Sequence, residues 1–171
     1  APERYTLDAS HSQIVLSYEH LCFSTTYGMF SGFEGEIMFD QGDPTNSSVT
    51  VSMPARSMLT GWEGRLEHFM GDDFFGADDA ELITFASTSI DVTGDNTAKI
   101  TGEKAENQVT KEVIIDAKKN NSRQNPMSGK AWAGFDATTT ILRSDFNLGA
   151  FAPAVSDEIE VLISIEAGKA E

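Results

Sequence analysis

The stretch "DEIEVLISIEA", residues 157–167, alternates apolar and mostly polar side chains with a period of two. Ile159, Val161, Ile163 and Ile165 share one face of an extended chain, while glutamates dominate the other face. This alternation is typical of a β-strand with one buried and one solvent-facing side. We therefore predict a strand here, with its isoleucine-rich face against a hydrophobic interior.

The same period recurs through most of the chain. Similar runs occupy residues 14–18, 33–39, 49–53, 83–85, 113–117 and 135–141. Turn-forming residues separate them, and Gly94–Asn96 predicts a hairpin into "AKITGE", residues 98–103. Large apolar residues at helical intervals occur in "LTGWEGRLEHFM", residues 59–70. Seven or more strands and one short helix, without a repeat or linker, predict a single all-β domain over residues 1–171, either an antiparallel barrel or a sandwich.

Alternate side chains of a strand point to opposite faces, and charged residues identify the face that contacts solvent. Strand parity therefore divides the side chains between interior and solvent. By this criterion the interior side chains are Ile14, Leu16, Phe33, Ile37, Phe39, Val51, Met53, Phe85, Phe135, Val161 and Ile163. Small residues follow the same parity at Gly35, Ser87, Ser89, Ala137 and Thr139. Small inward side chains leave volume for a ligand, or they fit the taper of a solid core. The residues alone leave both readings open.

The charge and the sulfur content narrow the function classes. Twelve Lys and Arg against 27 Asp and Glu make the protein acidic, with a formal net charge of −15, which disfavours nucleic acid as a partner. The single cysteine, Cys22, excludes an intramolecular disulfide and a CxxC metal framework, and we expect its thiol to be buried in a strand. No apolar run approaches the roughly 18 residues of a membrane-spanning helix.

The three histidines, His11, His20 and His68, are the first candidates for a metal or catalytic site. Carboxylates that could join them are Glu63, Glu67, Asp72 and Asp73. The chain has no HxH or HExxH spacing, no G-x-S-x-G elbow and no phosphate loop. We therefore predict neither a metal site nor a catalytic group. His11 is expected to fix the start of a strand, and His20 to end that strand near a barrel rim.

Three regions carry a resemblance to a known family. The opening region contributes Asp8, His11, Ser12, His20, Gly28, Phe30, Gly35 and Asp40. The helix region contributes Arg65, Phe74, Phe75, Ile83 and Phe85. The last strands contribute Phe135, Arg143, Asp145, Phe146 and Ser156. In order and spacing the whole chain resembles the YceI-like polyisoprenoid-binding proteins.

The chain departs from the pattern of that family in three places. Lys104, Glu106 and Gln108 stand where the family usually has an apolar strand and a glycine. We expect this hairpin to be more polar or reshaped. Leu66 stands where an aspartate usually follows the helix arginine, and Asn147 stands where a glycine is usual.

The resemblance implies an antiparallel lipocalin-like β-barrel with one short helix near its mouth. Its lumen would hold an extended isoprenoid tail against these ligand-binding side chains: Ile14, Leu16, Phe33, Gly35, Ile37, Phe39, Val51, Met53, Leu66, Phe69, Phe74, Phe75, Phe85, Phe135, Ala137, Val161 and Ile163. The head-group candidates at the mouth are Arg65, His68 and His20. The segment from Gly61 to Gly76 is either a movable cover of the barrel or a static plug that completes the core.

The implied function is the non-enzymatic binding, carriage or storage of a long-chain isoprenoid lipid, with a polyprenyl tail or an isoprenoid-quinone tail such as that of ubiquinone. No cofactor is required besides that lipid, and a homodimer is compatible with this function. The resemblance also implies export to the periplasm or beyond. The chain begins at Ala1 without Met or an apolar leader, as would follow from removal of an export signal or from excision from a longer protein. The alternatives are a redox or enzymatic participant in isoprenoid or quinone chemistry, and an accessory scaffold domain of a larger secreted protein.

Overall fold

Ten β-strands and one α-helix form the secondary structure of the computed structural model, which describes residues 1–71, 73–74 and 81–170. The strands are β1 (Glu3–Leu7), β2 (Gln13–His20), β3 (Ser24–Ser31), β4 (Glu34–Phe39), β5 (Ser48–Pro54), β6 (Leu82–Val92), β7 (Thr97–Glu106), β8 (Val109–Gln124), β9 (Ala131–Leu142) and β10 (Glu158–Lys169). The helix, α1 (Glu63–Met70), lies between β5 and β6 in the chain.

The strands form one antiparallel sheet that closes on itself. Its order is β1-β4-β5-β6-β7-β8-β9-β10-β2-β3, and β1 pairs with both β4 and β10. β1 and β2 lie end to end along β10, and β4 and β3 lie end to end along them. Each of these two pairs acts as one interrupted strand, so the closed barrel is eight strands around. The prediction of an all-β antiparallel barrel is confirmed, and the sandwich alternative is wrong.

A hydrogen-bonded turn at residues 8–12 joins β1 to β2. The Asp8 carboxylate accepts from the Ser10 N–H at 3.0 Å and bonds to His11 Nδ1 at 2.9 Å, while the Ser12 hydroxyl donates to the Asp8 carbonyl at 2.8 Å. Gly32, with a φ of +67°, makes the corresponding break between β3 and β4. His11 therefore fixes the start of β2, as the sequence predicts.

A β-bulge in β6 corrects the predicted parity of that strand. Ser87 pairs with Gly102 and Ser89 with Thr101, so one extra residue on β6 changes which side chains face inward. Ser87 accepts a hydrogen bond from the Val49 N–H at 2.9 Å, and Ser89 is exposed. Beyond the bulge, the inward position belongs to Ile90 instead.

Two further expectations fail at chain turns. Cys22 is exposed, because Leu21 and Cys22 form the β2–β3 turn with φ values of 51° and 60°. Trp62 does not join the buried stripe of the helix, since it is the N-cap residue and is 70% exposed. In both places the residue lies where the backbone changes direction and not within a regular strand or helix.

The interior of the barrel is densely packed in one part and hollow in another. Tyr5, Phe39 and Phe135 make edge-to-face contacts, with ring centroids 5.6 Å and 5.7 Å apart. On β8 and β9, by contrast, the inward side chains of Ile115 and Ala137 are only half-buried. These strands are paired on both edges, so the exposed area of these side chains faces a cavity inside the barrel.

Arg143 organises the connection between β9 and β10, residues 143–157. Its Nε donates to the Ser156 carbonyl at 2.9 Å, and its Nη2 donates to the Val155 carbonyl at 2.7 Å. Its Nη1 donates to the carbonyls of Leu148 and Ala150 at 2.6 and 3.0 Å. One planar guanidinium thus satisfies four main-chain acceptors at the end of the barrel that carries α1, which we call the helix end.

We predict that Arg143→Met lowers the free energy of unfolding by roughly 2–4 kcal/mol, because part-buried carbonyls lose a charged donor. The matched control is Arg4→Met, which removes an arginine whose ion pair with Glu36 is half-exposed at 3.8 Å. The control is expected to lose less than about 1 kcal/mol. Urea denaturation followed by circular dichroism measures both values, and equal losses would contradict this role of Arg143.

Candidate ligand-binding cavity

An internal cavity of about 350 Å³ runs along the barrel. At one end its wall includes the β6–β7 turn, residues 94–96, and at the helix end it includes Phe69, Phe74 and Leu148. Between these ends the wall consists mainly of aliphatic and aromatic side chains from β2 to β10. A volume of several hundred Å³ is typical of sites that bind small organic ligands.

Most of the side chains predicted to bind a ligand lie in this wall. They are Ile14, Leu16, Phe33, Ile37, Phe39, Val51, Met53, Phe69, Phe74, Phe85, Phe135, Ala137, Val161 and Ile163. Strand parity accounts for the wall position of those that lie in strands, whereas Phe69 lies in α1 and Phe74 follows it. Contact of all these side chains with a ligand stays a prediction. Phe75 lies outside the described residues, as does Asp72.

Gly35 and Leu66 do not line the cavity as predicted. Gly35 has the inward parity of Ile37, but Leu7 occupies the space in front of it. A Cβ atom on Gly35 would lie 2.8 Å from Leu7 Cδ1 and 2.5 Å from the Thr50 carbonyl oxygen. Leu66 packs against the buried core instead of facing the cavity. A bulky residue at position 35 would therefore disrupt the wall and could not simply fill the lumen.

Small residues on neighbouring strands create the hollow. Ala117 on β8 pairs directly with Ala137 on β9, and both line the cavity. Thr139 and Ala98 also line it, as does Gly28 on β3. Two facing alanines leave space that longer side chains would occupy, so the interior at β8 and β9 is unfilled by protein.

Aromatic side chains line the helix end of the cavity. Phe69 contacts Phe74 with a centroid distance of 5.4 Å and Tyr18 with a distance of 6.2 Å. All three side chains line the cavity. Burial raises the pKa of the Tyr18 phenol. Tyr18 shares the parity of Ile14 and Leu16, which could have identified it from sequence. Movement of the segment from Gly61 to Gly76 on ligand binding stays a prediction, and residues 72, 75 and 76 of that segment lie outside the described residues.

The three predicted head-group residues do not reach the cavity wall. Arg65 Nη1 donates to the Thr60 carbonyl at 2.6 Å, which holds this side chain at the start of α1. His68 Nε2 lies 2.9 Å from Asp73 Oδ2, and its ring contacts that of Phe74 at 5.0 Å. His20 is exposed at the end of β2. The prediction that these side chains meet a head group is therefore not supported by their positions.

The sequence interpretation missed an ion pair that lines the cavity. Lys104 and Glu106 lie at the end of β7, at the helix end of the barrel, and their side chains form an ion pair. Burial lowers the pKa of the Lys104 ammonium, and the Glu106 carboxylate opposes that shift. The signal was present in the sequence, because both residues share the parity of Ile100 and Gly102. The rule that charged residues mark the solvent-facing side of a strand excludes them from the predicted interior.

Asp8, His11 and Glu166 form a cluster on the outside of the barrel, with one ligand-type atom of each within 4.8 Å of the others. His11 Nδ1 is bonded to Asp8 at 2.9 Å, and Glu166 accepts from Trp132 Nε1 at 2.9 Å. Hydrogen bonds therefore account for the arrangement without an ion. The Asp8 hydrogen bond, followed by the charges of Glu166 and Asp8, raises the pKa of His11 above its ordinary value of 6.5.

We predict that Asp8→Asn returns the pKa of His11 towards its ordinary value. In the folded protein the charged imidazole is favoured, so this contribution to stability is complete below pH 6.5. It is lost as the pH rises through the higher, folded-state pKa. NMR titration of the His11 ring protons measures the change, and an unchanged titration in Asp8→Asn would show that Asp8 is not the cause.

The closed antiparallel barrel and its apolar cavity define a lipocalin-like binding barrel. The YceI-like domain family matches the chain over residues 5–167, and the chain belongs to this family. The UPF0312 protein of Ectopseudomonas mendocina is 35% identical over 164 residues, which cover 95% of this chain and 85% of that protein. The family resemblance seen in the sequence is confirmed.

Solved structures agree with the fold. The crystal structure of the Campylobacter jejuni YCEI protein matches with a TM-score of 0.81 and 28% identity, over 90% of each chain. A polyisoprenoid binding domain from Saccharophagus degradans, implicated in plant cell wall breakdown, matches with a TM-score of 0.72 over 97% of this chain and 98% of that one. Its identity is 13%, so this likeness is one of fold. Within the described part of the chain, no helix has the length and hydropathy needed to cross a membrane.

Proposed function

We propose that this protein binds the hydrocarbon tail of a polyisoprenoid lipid inside its barrel and carries or stores that lipid without chemically changing it. The observation that carries the proposal is the apolar cavity, which extends from the β6–β7 turn to the aromatic side chains at the helix end. The fold shared with the Saccharophagus degradans polyisoprenoid binding domain supports it. Export to the periplasm or beyond stays a prediction.

The dimensions of the barrel suit a long, thin ligand. β9 and β10 each contain 12 residues, which corresponds to roughly 40 Å of extended chain. A prenyl tail lying along these strands would leave water and contact the aliphatic and aromatic side chains of the wall. Each Å² of apolar surface buried contributes about 25 cal/mol, less the cost of ordering a flexible tail. Such a wall provides affinity without any catalytic group.

The tail is proposed to belong to an isoprenoid quinone such as ubiquinone, or to a related prenyl lipid. A tail held along the barrel leaves one end of the lipid at the helix end, beside the polar side chains of Tyr18, Lys104 and Glu106. An oxygen-bearing head group fits that end better than the aliphatic wall of β8 and β9, where it would lose hydrogen bonds with water.

Native mass spectrometry of the protein purified from cells, followed by organic extraction, tests the proposal. We expect one prenyl lipid for each barrel, recovered chemically unchanged after incubation. A barrel that neither contains nor takes up a prenyl lipid would favour the scaffold alternative. Conversion of an added prenyl lipid to a product would favour an enzyme.

We predict that Ala137→Phe lowers uptake of a prenyl quinone by about tenfold, because the added ring fills the space opposite Ala117. The matched control is Thr138→Phe, which places the same ring at an exposed position of the same strand. Both proteins are compared by quinone titration in native mass spectrometry. Unchanged uptake by a folded Ala137→Phe variant would show that the tail does not occupy this part of the cavity.

A further inference from the structure

The inward face of β7 changes from apolar to charged along its length. Ala98, Ile100 and Gly102 precede Lys104 and Glu106 at the same parity, and Glu106 is 9% exposed. Lys104 and Glu106 both line the cavity. The helix end of an otherwise largely apolar wall therefore contains a buried ion pair, beside the part-buried guanidinium of Arg143.

The Lys104 ammonium has a fixed position. It donates to the Glu106 carboxylate and lies 4.2 Å from the centroid of the Phe146 ring. Phe146 is 1% exposed, and its carbonyl accepts from Asn107 Nδ2 at 2.9 Å, so the ring cannot readily move away. Glu106 accepts from one of the three ammonium N–H groups. A cation held in this way between a carboxylate and an aromatic face can direct another N–H group into the cavity.

We propose that Lys104 and Glu106 form the head-group site of the cavity and select a prenyl lipid with an uncharged oxygen head group, a carbonyl or an alcohol. This inference rests on the proposed function. A carbonyl oxygen accepts from Lys104, and an alcohol can also donate to Glu106. A hydrocarbon end offers no acceptor to the buried ammonium, which then lacks the hydrogen bonds that water would provide.

The same pair disfavours a phosphate head group. The charges of Lys104 and Glu106 cancel each other, and a phosphate that accepts from Lys104 would lie close to the Glu106 carboxylate, whose like charge repels it strongly at low dielectric constant. Arg143 also lines the cavity, but its guanidinium already donates to four main-chain carbonyls. The site thus matches a neutral acceptor better than an anion.

Competition in native mass spectrometry measures this selectivity directly. The protein is incubated with pairs of probes of equal tail length: a prenyl quinone, a prenyl alcohol, a prenyl phosphate and a prenyl hydrocarbon without a head group. The ratio of the two complexes in one spectrum gives the relative affinity. We expect the quinone and the alcohol each to exceed both the hydrocarbon and the phosphate by about tenfold or more.

The first variant is Lys104→Met/Glu106→Gln, which removes both charges at similar side-chain length. Its preference for quinone over hydrocarbon should fall to near unity, while the affinity for the hydrocarbon changes by less than about threefold. The control is Lys99→Met/Asp116→Asn, which removes an exposed ion pair of 3.2 Å between β7 and β8. This control should keep the preferences of the natural protein.

The second variant, Glu106→Gln, tests the site by a gain of binding. Removing the carboxylate alone takes away the negative charge that repels a phosphate beside Lys104, so the affinity for prenyl phosphate relative to quinone should rise by about tenfold. A damaged fold would not produce such a gain. The result stays interpretable even if the double variant is unstable.

The outcomes separate the two proposals. If the natural protein binds hydrocarbon and quinone equally, and the double variant does the same, the ion pair is structural and the head-group inference is wrong, while the proposed function stands. A preference of the natural protein for prenyl phosphate, or no gain in Glu106→Gln, would also overturn the inference. If no prenyl probe binds at all, the proposed function fails, and the head-group site fails with it.

Discussion

Closure of the sheet through β10 is the constraint on which the rest of the structure depends. β10 pairs with β9 along its length, and its other edge pairs with β2 and then with β1. These pairings satisfy the main-chain groups on both edges of the strand, so the sheet needs no partner to complete it. Closure also divides the side chains of every strand between an inside and an outside. The isoleucine-rich face of β10 lies on the inside, where Val161 is buried and Ile159, Ile163 and Ile165 line the cavity.

Closure does not by itself create a cavity, because small barrels can be filled by their own side chains. The distribution of side-chain size decides that question here. Bulky aromatic residues from β1, β4 and β9 pack edge to face at Tyr5, Phe39 and Phe135. Alanines face each other across β8 and β9 at positions 117 and 137. This uneven distribution of side-chain size gives the barrel a packed part and a hollow part, and β9 contributes to both through Phe135 and Ala137.

Period-two alternation predicted most of the fold and most of the cavity wall, because parity is a local property of an extended chain. The bulge between Ser87 and Ser89 reversed the parity of β6, and no residue there distinguishes a bulged strand from a regular one. Gly35 faces inward, but Leu7 from a distant part of the chain fills the space. Periodicity could not separate a barrel from a sandwich either, since both present one buried face per strand. Sequence similarity to a family supplied that choice.

Lys104 and Glu106 were missed because the sequence interpretation assigned every charged residue to the solvent-facing side of its strand. This assignment fails where a binding site needs buried charges. Burial of hydrocarbon is non-directional, so an aliphatic wall gives affinity for many tails of similar thickness and distinguishes them poorly. To distinguish one lipid from another, the wall needs polar groups at fixed positions. A rule that places every charged residue on the solvent-facing side excludes such groups from the predicted wall. A buried ion pair contributes little stability on its own, because desolvation offsets the attraction. Its two charges are therefore better explained by what they select at the end of the cavity than by what they add to the fold.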